Sequence, residues 1–251
     1  IHFSPRVGFN WDVYGDRTTQ LRGGIGIFTS RMPLVWPGGA YNNNGLSVGG
    51  VDENNFTDDE VIFNPDPNNQ PIGNGPLPGS GQLGGQIDLF APDFKLPQVA
   101  KFSIGLDQKL NIWGLLASVD YLYNNNINNV FYENLNIRGP IGELNGEDDR
   151  NIYSNDRIDS NYTGIFLGSN TNEGWSYTSS FTLTKPFDNG FSGQVSYAYS
   201  NGKSIFEGTS SQNNSQWRFN QTVNGKNDPG IGRSQFAFGS RISASASYEL
   251  K

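Results

Sequence analysis

The chain contains no cysteine and a single histidine, His2, among its 251 residues. Without cysteine, the sequence offers no disulfide framework, no thiolate metal ligand and no cysteine nucleophile. With one imidazole at the extreme terminus, a Ser-His-Asp triad and a histidine-based metal site are also disfavoured. We therefore predict a protein that is not an enzyme and has no cofactor, with no catalytic, cofactor-binding or metal-binding residues.

Positive charge and long apolar runs are scarce as well. The formal net charge is -7 at pH 7, whereas a nucleic-acid-binding protein is expected to present a basic face. No run of about 18 apolar residues is present, which excludes a transmembrane helix. A transmembrane β-strand needs only about 9–11 residues and escapes hydropathy scans. These absences exclude nucleic acid as a partner and leave a membrane β-barrel open.

Seven stretches of the chain alternate between apolar and polar residues, as β-strands with two different faces do. In the fifth stretch, for example, Phe181 and Leu183 alternate with Ser180 and Thr182. The polar positions are mainly Ser, Thr, Gly, Asn and Gln, which suits a crowded barrel interior better than an open surface. The stretches cover residues 7–13, 21–27, 101–110, 115–124, 175–184, 191–200 and 242–250.

Short and long connections alternate between these stretches. The short ones lie at 14–17, 111–114 and 187–190, and the last contains the hairpin dipeptide Asn189-Gly190. The long loops cover about residues 32–98, 125–174 and 202–235, with short strands predicted inside them at 151–153 and 164–167. Tight turns at one end and long loops at the other predict an all-β fold: an antiparallel transmembrane β-barrel wall with the long loops on the extracellular side.

Aromatic residues occur near both ends of the predicted strands, as in the interfacial girdles of membrane barrels. Tyr14, Trp113 and Phe187 lie beside the short turns. The corresponding residues near the long-loop ends are Phe28, Tyr121, Tyr123, Trp175 and Tyr199.

Several alternatives remain open at this point. A soluble extracellular β-sandwich adhesin or lectin also alternates apolar and polar residues along its strands. A structural outer-membrane barrel that scaffolds surface lipoproteins or an assembly machine would share every feature above. Two acidic loop runs offer oxygen ligands for Ca²⁺ or a glycosidase carboxylate pair, although neither has EF-hand spacing and a solvated charged surface also explains them. The runs contain Asp52, Glu53, Asp58, Asp59 and Glu60, and Glu143, Glu147, Asp148 and Asp149.

Two segments carry a recognisable pattern, SPRVGFNWDVYGDRTTQLRGGIGIFTSR and LPQVAKFSIGLDQKLNIWGLLASVDYLYN. The first contains Pro5, Arg6, Gly8, Phe9, Trp11, Gly15, Asp16, Arg22, Gly23, Gly24, Gly26, Phe28 and Arg31, and the second contains Gln98, Asp120 and Tyr121. With these residues the chain resembles the TonB-dependent receptors of Bacteroidetes, particularly the Oar-like and SusC-like group.

The resemblance implies a barrel of roughly 22 strands around an N-terminal plug, importing a bulky ligand with energy from an inner-membrane TonB complex. We therefore expect residues 1–251 to form part of one such barrel domain in the bacterial outer membrane, with the plug and the TonB box elsewhere. The remaining strands are expected elsewhere as well, because open sheet edges are unstable in lipid. Expected partners are outer-membrane lipid, those remaining strands and plug, TonB through segments outside the chain, and a SusD-like or other surface lipoprotein.

Aromatic residues of the long loops are the candidate ligand contacts, because they can stack on sugar or peptide groups. The expected ligand is an oligosaccharide, a peptide or a chelate, bound and imported without covalent chemistry. For each aromatic residue, packing of the loops against one another is the alternative role. The candidates are Trp36, Tyr41, Tyr132, Tyr153 and Trp217.

Overall fold

The computed structural model describes residues 2–46, 65–66, 85–147, 149–222 and 224–250. The described elements in chain order are β1 (Arg6–Asp12), β2 (Thr19–Thr29), α1 (Val35–Asn42), β3 (Gly85–Phe90), β4 (Gln98–Lys109), β5 (Leu116–Asn134), β6 (Pro140–Glu143), β7 (Asn151–Tyr153), β8 (Tyr162–Thr171), β9 (Gly174–Asp188), β10 (Phe191–Ser204), α2 (Asn213–Phe219), β11 (Gly232–Arg233) and β12 (Gly239–Tyr248). Within these ranges, neither helix has the length and apolar character needed to cross a membrane.

Seven strands form one antiparallel sheet, which we call the wall, in the order β1-β2-β4-β5-β9-β10-β12. Each of them contains most of one of the seven predicted stretches, and their connections alternate between short and long as predicted. Each short turn carries a glycine with positive φ, at Gly15, Gly114 and Gly190. Asn189 shares this left-handed conformation, which confirms the predicted Asn-Gly hairpin turn. Among the described residues β1 and β12 do not pair, so the wall is an open sheet.

The register of the wall gathers the large apolar side chains on one face, the apolar face. One row across the sheet consists of Trp11, Leu21, Leu106, Val119, Phe181, Tyr197 and Ile242. These side chains are not covered: Val119 is 48% exposed, Phe181 46% and Ile242 75%. A soluble β-sandwich would bury such a face under a second sheet, so this alternative does not fit the structure. An apolar face of this extent is suited to contact with lipid.

Both ends of the apolar face are rich in aromatic rings. Near the short turns, Tyr14, Trp113 and Phe187 are well exposed, as an interfacial girdle requires. Near the long loops, Tyr177 contacts both Tyr121 and Tyr199 at 6.1 Å between ring centroids. Trp175, which was also predicted to lie at the long-loop end, stacks on Tyr177. The structure therefore places most of the predicted aromatic residues in two belts.

Phe28 is the exception, because its ring does not belong to the apolar face. It lies on the same side of β2 as Gly26 and contacts the side chains of Arg6 and Lys101, which flank Gly26 in the register. The prediction that Phe28 belongs to a lipid-side girdle is therefore wrong. Successive side chains of a strand point to opposite faces, and Phe28 falls on the same face as the polar positions of β2.

Two of the long loops begin later than the sequence predicted. β5 continues through Asn134 instead of ending before residue 125, and β10 continues through Ser204 instead of ending before residue 202. The outer part of β5 pairs with β8, which in turn pairs in parallel with β3. The alternation that marks a strand is lost in the Asn124–Asn126 run, where all side chains are polar, so the extension is not visible locally. The predicted short strands at 151–153 and 164–167 are confirmed as β7 and part of β8.

Candidate functional site

The long loops pack into a layer above the wall, which we call the loop layer: α1, β3, β8, α2 and the outer end of β5. Its core is formed by Trp36, Val130, Tyr132 and Phe206, all at most 5% exposed. The rings of Tyr132 and Phe206 meet edge to face at 5.7 Å, and Trp36 contacts both rings at 6.0 and 6.3 Å. This core joins residues of all three long loops, because one aromatic side chain from each region enters it.

Buried hydrogen bonds reinforce the same junction. The Tyr132 hydroxyl donates to Asn213 Oδ1 at 3.1 Å, and Asn213 Nδ2 donates to the Trp36 carbonyl at 3.2 Å. Nearby, Asn214 Nδ2 donates to Gln86 Oε1 at 2.7 Å. Since buried polar groups need partners, these bonds specify how the first and third loops meet β5.

Asp88 is the buried carboxylate of the loop layer, with 2% of its surface exposed. Its two oxygens accept hydrogen bonds from Gln86 Nε2 and Asn43 Nδ2, both at 2.7 Å. Burial raises the pKa of Asp88, because the charged form is removed from water, while the two amide donors partly oppose this shift. Asp88 therefore connects β3 to the end of α1 through neutral amide groups.

A cavity of about 640 Å³ lies between the loop layer and the polar face of the wall. Its wall side is lined by small polar residues that include Asn124, Ser176, Thr178, Ser200 and Gly202. On the other side the lining comes from loop residues, among them Trp36, Val130, Phe206, Phe236 and Phe238. The cavity thus combines aromatic surface with hydrogen-bonding groups, which is the usual composition of a ligand site.

Two lining residues carry polar atoms that are buried without a hydrogen-bond partner within the described part of the chain: Trp36 Nε1 and Asn124 Oδ1. Asn124 Nδ2 does have a partner, since it donates to Ser176 Oγ at 3.1 Å. An unpaired buried polar group costs on the order of 1–3 kcal/mol. One hydrogen-bond donor of the loop layer and one acceptor of the wall therefore lie unpaired on opposite sides of the cavity.

Lower on the polar face, Arg22 bridges two carboxylates across three strands. Its Nε lies 2.9 Å from Asp107 Oδ2, and its Nη2 lies 2.7 Å from Asp120 Oδ1. Gly105 stands between Arg22 and Asp120 in the register, and a Cβ added there would be 2.6 Å from Asp120 Oδ1. Glycine at this position therefore makes room for the ion pair between β2 and β5.

The five aromatic residues predicted to contact ligand occupy three different environments. Trp36 and Tyr132 lie in the core of the loop layer, where they pack the loops together, although Trp36 also lines the large cavity. Tyr41 is 86% exposed on the layer's surface. Tyr153 and Trp217 line a second cavity of about 330 Å³ together with Lys226 and Arg157. Their roles in ligand binding remain predictions.

The sequence did not single out the remaining lining residues of the large cavity. Phe206, Phe236 and Phe238 carry no pattern that separates them from other loop aromatics, and Asn124 is one of several asparagines in a run. Thr178 and Ser200 did stand on predicted polar faces, and this alternation is the signal from which their position could be found.

Acidic residues form no candidate metal centre in the described ranges, where no three His, Cys, Asp or Glu side chains come together. Of the second acidic run, Glu143, Glu147 and Asp149 are described and exposed. The first run and one residue of the second lie outside the described residues: Asp52, Glu53, Asp58, Asp59, Glu60 and Asp148. Calcium binding by these loops was only an alternative to a solvated charged surface, and the described residues provide no site for it.

Comparison with known proteins agrees with this architecture. A family model described as an outer membrane beta barrel domain matches residues 1–251. No curated protein matches the chain. Among solved structures, the outer membrane transporter YddB from Escherichia coli is similar with a TM-score of 0.53 and 15% sequence identity, over 97% of this chain and 26% of that one. The chain thus spans about a quarter of the length of that transporter, and at this identity the similarity shows the fold alone.

Proposed function

The chain belongs to the outer membrane beta barrel domain family, and from that premise we propose that it forms one part of a TonB-dependent transporter that binds and imports a bulky ligand. Its apolar face contacts outer-membrane lipid, and its polar face lines the barrel interior. The long loops then stand on the extracellular side, where ligand arrives. The resemblance of the segments around Arg6 and Asp120 to TonB-dependent receptors supports the TonB-dependent form of this proposal.

The observation that carries the proposal is the cavity of about 640 Å³ between the polar face and the loop layer. Typical small-molecule sites have volumes of about 300–1,000 Å³, so this cavity accommodates one sugar or peptide unit of a larger ligand. It lies at the long-loop end of the wall and is bounded by the strands that would surround the transport path. A ligand held here is captured above the barrel interior before it passes through.

The lining supports binding without covalent chemistry. Hydroxyl and amide groups of Thr178, Ser200 and Asn124 offer hydrogen bonds, and the rings of Phe236 and Phe238 offer apolar surface. Transport is then a sequence of binding and conformational steps, with energy delivered by TonB through segments outside the chain. The plug, the remaining strands and a SusD-like or other surface lipoprotein are the proposed partners.

Filling the cavity tests the proposal in the full-length protein, expressed in a strain from which its own gene has been removed. Thr178→Trp places a large ring on the cavity side of β9. Ser179→Trp is the matched control, because the neighbouring residue lies on the apolar face between Tyr121 and Tyr199, where an additional ring fits the aromatic belt. Uptake is measured with labelled linear oligosaccharides, labelled peptides and ferric citrate, with and without the TonB protein.

We expect the wild type and Ser179→Trp to take up one of the three probes in a TonB-dependent manner. Thr178→Trp should lose this uptake while keeping the heat-modifiable gel migration of a folded barrel. A folded wild-type protein that supports uptake of no probe would contradict the proposal. Such a result, combined with co-purification of surface lipoproteins, would favour the structural scaffold instead.

A further inference from the structure

Two cations meet over one aromatic ring on the polar face of the wall. The guanidinium carbon of Arg6 lies 4.3 Å from the centroid of the Phe28 ring, and Lys101 Nζ lies 5.3 Å from it. The register explains the meeting, because Arg6 and Lys101 are the two partners of Gly26 on either side of β2. Gly26 has no side chain, and a Cβ there would be 2.9 Å from Arg6 Cγ, so glycine lets the arginine lie across the strand.

Within the part of the chain that the structure describes, this pair of cations has no acidic partner. Among the described residues, neither Arg6 nor Lys101 forms an ion pair, whereas Arg22 on the same face of β2 is matched by Asp107 and Asp120. The contrast is notable in a chain whose formal net charge is -7. Two like charges near one ring repel each other, and the ring offsets only part of this cost. An anion bound near this ring would offset the repulsion between the two cations.

Room for an anion lies beside Lys101 and Phe28, and Arg6 stands against the same Phe28 ring without lining this space. A cavity of about 250 Å³ is lined by Phe28, Lys101 and a set of asparagines on the neighbouring strand β5. Asn124, the register partner of Lys101, lines both this cavity and the large one, so the two are adjacent. Asn126 and Asn128 also line this cavity. Each amide already donates one hydrogen bond, to the Glu173 carbonyl and to Gln98 Oε1 respectively, and has a second N–H to offer a ligand. Cationic and amide groups together are the chemistry that recognises a carboxylate or a phosphate.

We propose that Arg6, Lys101 and Phe28 form an anion-binding subsite that holds a carboxylate or phosphate group of the ligand beside the large cavity. Arg6 and Lys101 supply the charge, and the Phe28 ring keeps the two side chains in position. Asn124 connects this subsite to the aromatic part of the cavity. The inference rests on the proposed function for the identity of the cavity as a ligand site, but its binding test requires no transport.

The test is calorimetric titration of the full-length protein in detergent micelles with citrate as the carboxylate probe and inorganic pyrophosphate as the phosphate probe. Lys101→Gln should weaken binding about tenfold or more, since it removes a charged hydrogen-bond donor from the lining, and Arg6→Gln should weaken it as well, since it removes a positive charge beside the same ring. Lys101→Arg should retain binding. Lys109→Gln is the matched control, because it removes one positive charge from the other end of the same strand.

Binding of either probe that falls in Arg6→Gln and Lys101→Gln but not in Lys109→Gln supports the subsite, and the preferred probe identifies the anion. No measurable binding of either probe, or equal weakening in all three glutamine variants, overturns it. Heat-modifiable migration of each variant shows that the barrel is folded. If TonB-dependent uptake persists while neither anion binds, the subsite is refuted and the transporter proposal stands.

Discussion

Replacing Phe206 with alanine tests whether the loop layer is held together by its aromatic core. Phe206 is 5% exposed and packs edge to face against Trp36 and Tyr132, which come from the first loop and from β5. It is the contribution of the third long loop to that core. Its loss should therefore weaken the attachment of the third loop to the other two while leaving the wall intact.

The magnitude follows from the burial. Truncation of a buried phenylalanine to alanine costs about 3–5 kcal/mol, because the apolar contacts are lost and the cavity left behind collapses only in part. The cost acts on local opening of the loop layer, since Phe206 lies in the core of that layer and outside the sheet rows of the wall. A tenfold change in an equilibrium constant corresponds to about 1.4 kcal/mol. The protection of the backbone amides of α1 and β3 against hydrogen exchange should therefore fall by roughly two to three and a half orders of magnitude.

Hydrogen exchange read by mass spectrometry on the full-length protein measures this change. Peptides from α1, β3 and α2 should exchange faster in Phe206→Ala, while peptides from β2 and β4 should not change. Phe236→Ala is the control, because Phe236, in the connection between β11 and β12, is 64% exposed and should alter protection by no more than about 0.5 kcal/mol. Unchanged protection of α1 and β3, or an equal loss throughout the wall, would refute the assignment of the core.

Three further predictions address the wall and the loop layer. Gly105→Val should lower the free energy of unfolding in urea of the full-length protein by about 1–3 kcal/mol, since the valine side chain displaces the ion pair between β2 and β5. Gly142→Val is the control and should not lower it, because no atom lies within 4 Å of the added Cβ. Val119→Arg, on the apolar face, should cost about 2–4 kcal/mol in lipid vesicles, and Ser118→Arg on the polar face should cost clearly less. Because burial raises the pKa of Asp88 above 3.8, the folded loop layer binds the carboxyl proton of Asp88 more tightly than the unfolded layer does. Binding of this proton therefore stabilises the folded layer fully at pH values below the ordinary pKa, and the stabilisation is lost as the pH rises through the raised pKa. Protection of β3, corrected for intrinsic exchange, should therefore increase as pH falls from neutral, and Asp88→Asn should remove this dependence.

Much of the wall was predictable because its signal is local. In β9, Phe181 and Leu183 alternate with Thr182 and Thr184, and this period of two is a property of the extended backbone itself. The turn at Asn189-Gly190 is equally local, since few residues adopt its positive φ values without strain. Strand number, strand order and the two faces of the sheet follow from such signals.

The loop layer was much less predictable. α1 contains Pro37, Gly38 and Gly39, which are poor helix formers, so its conformation depends on the packing of Trp36 against Tyr132 and Phe206. The extension of β5 depends in the same way on pairing with β8, which follows it after a long connection. Predictions that place loop aromatics at a ligand could not distinguish Trp36, which is buried, from Tyr41, which is exposed.

The amino-acid sequence by itself determined that alternate side chains of seven strands have opposite chemistry, because alternation along a strand requires only the residues of that strand. Only the tertiary structure decided which of these side chains meet. Arg6 and Lys101 come from separate strands and share the ring of Phe28 through the register, and Arg22 reaches Asp120 because Gly105 lies between them. Such side-chain contacts depend on which strands pair across the turns and long loops. This strand pairing is selected by the packing and hydrogen bonding of the whole sheet together.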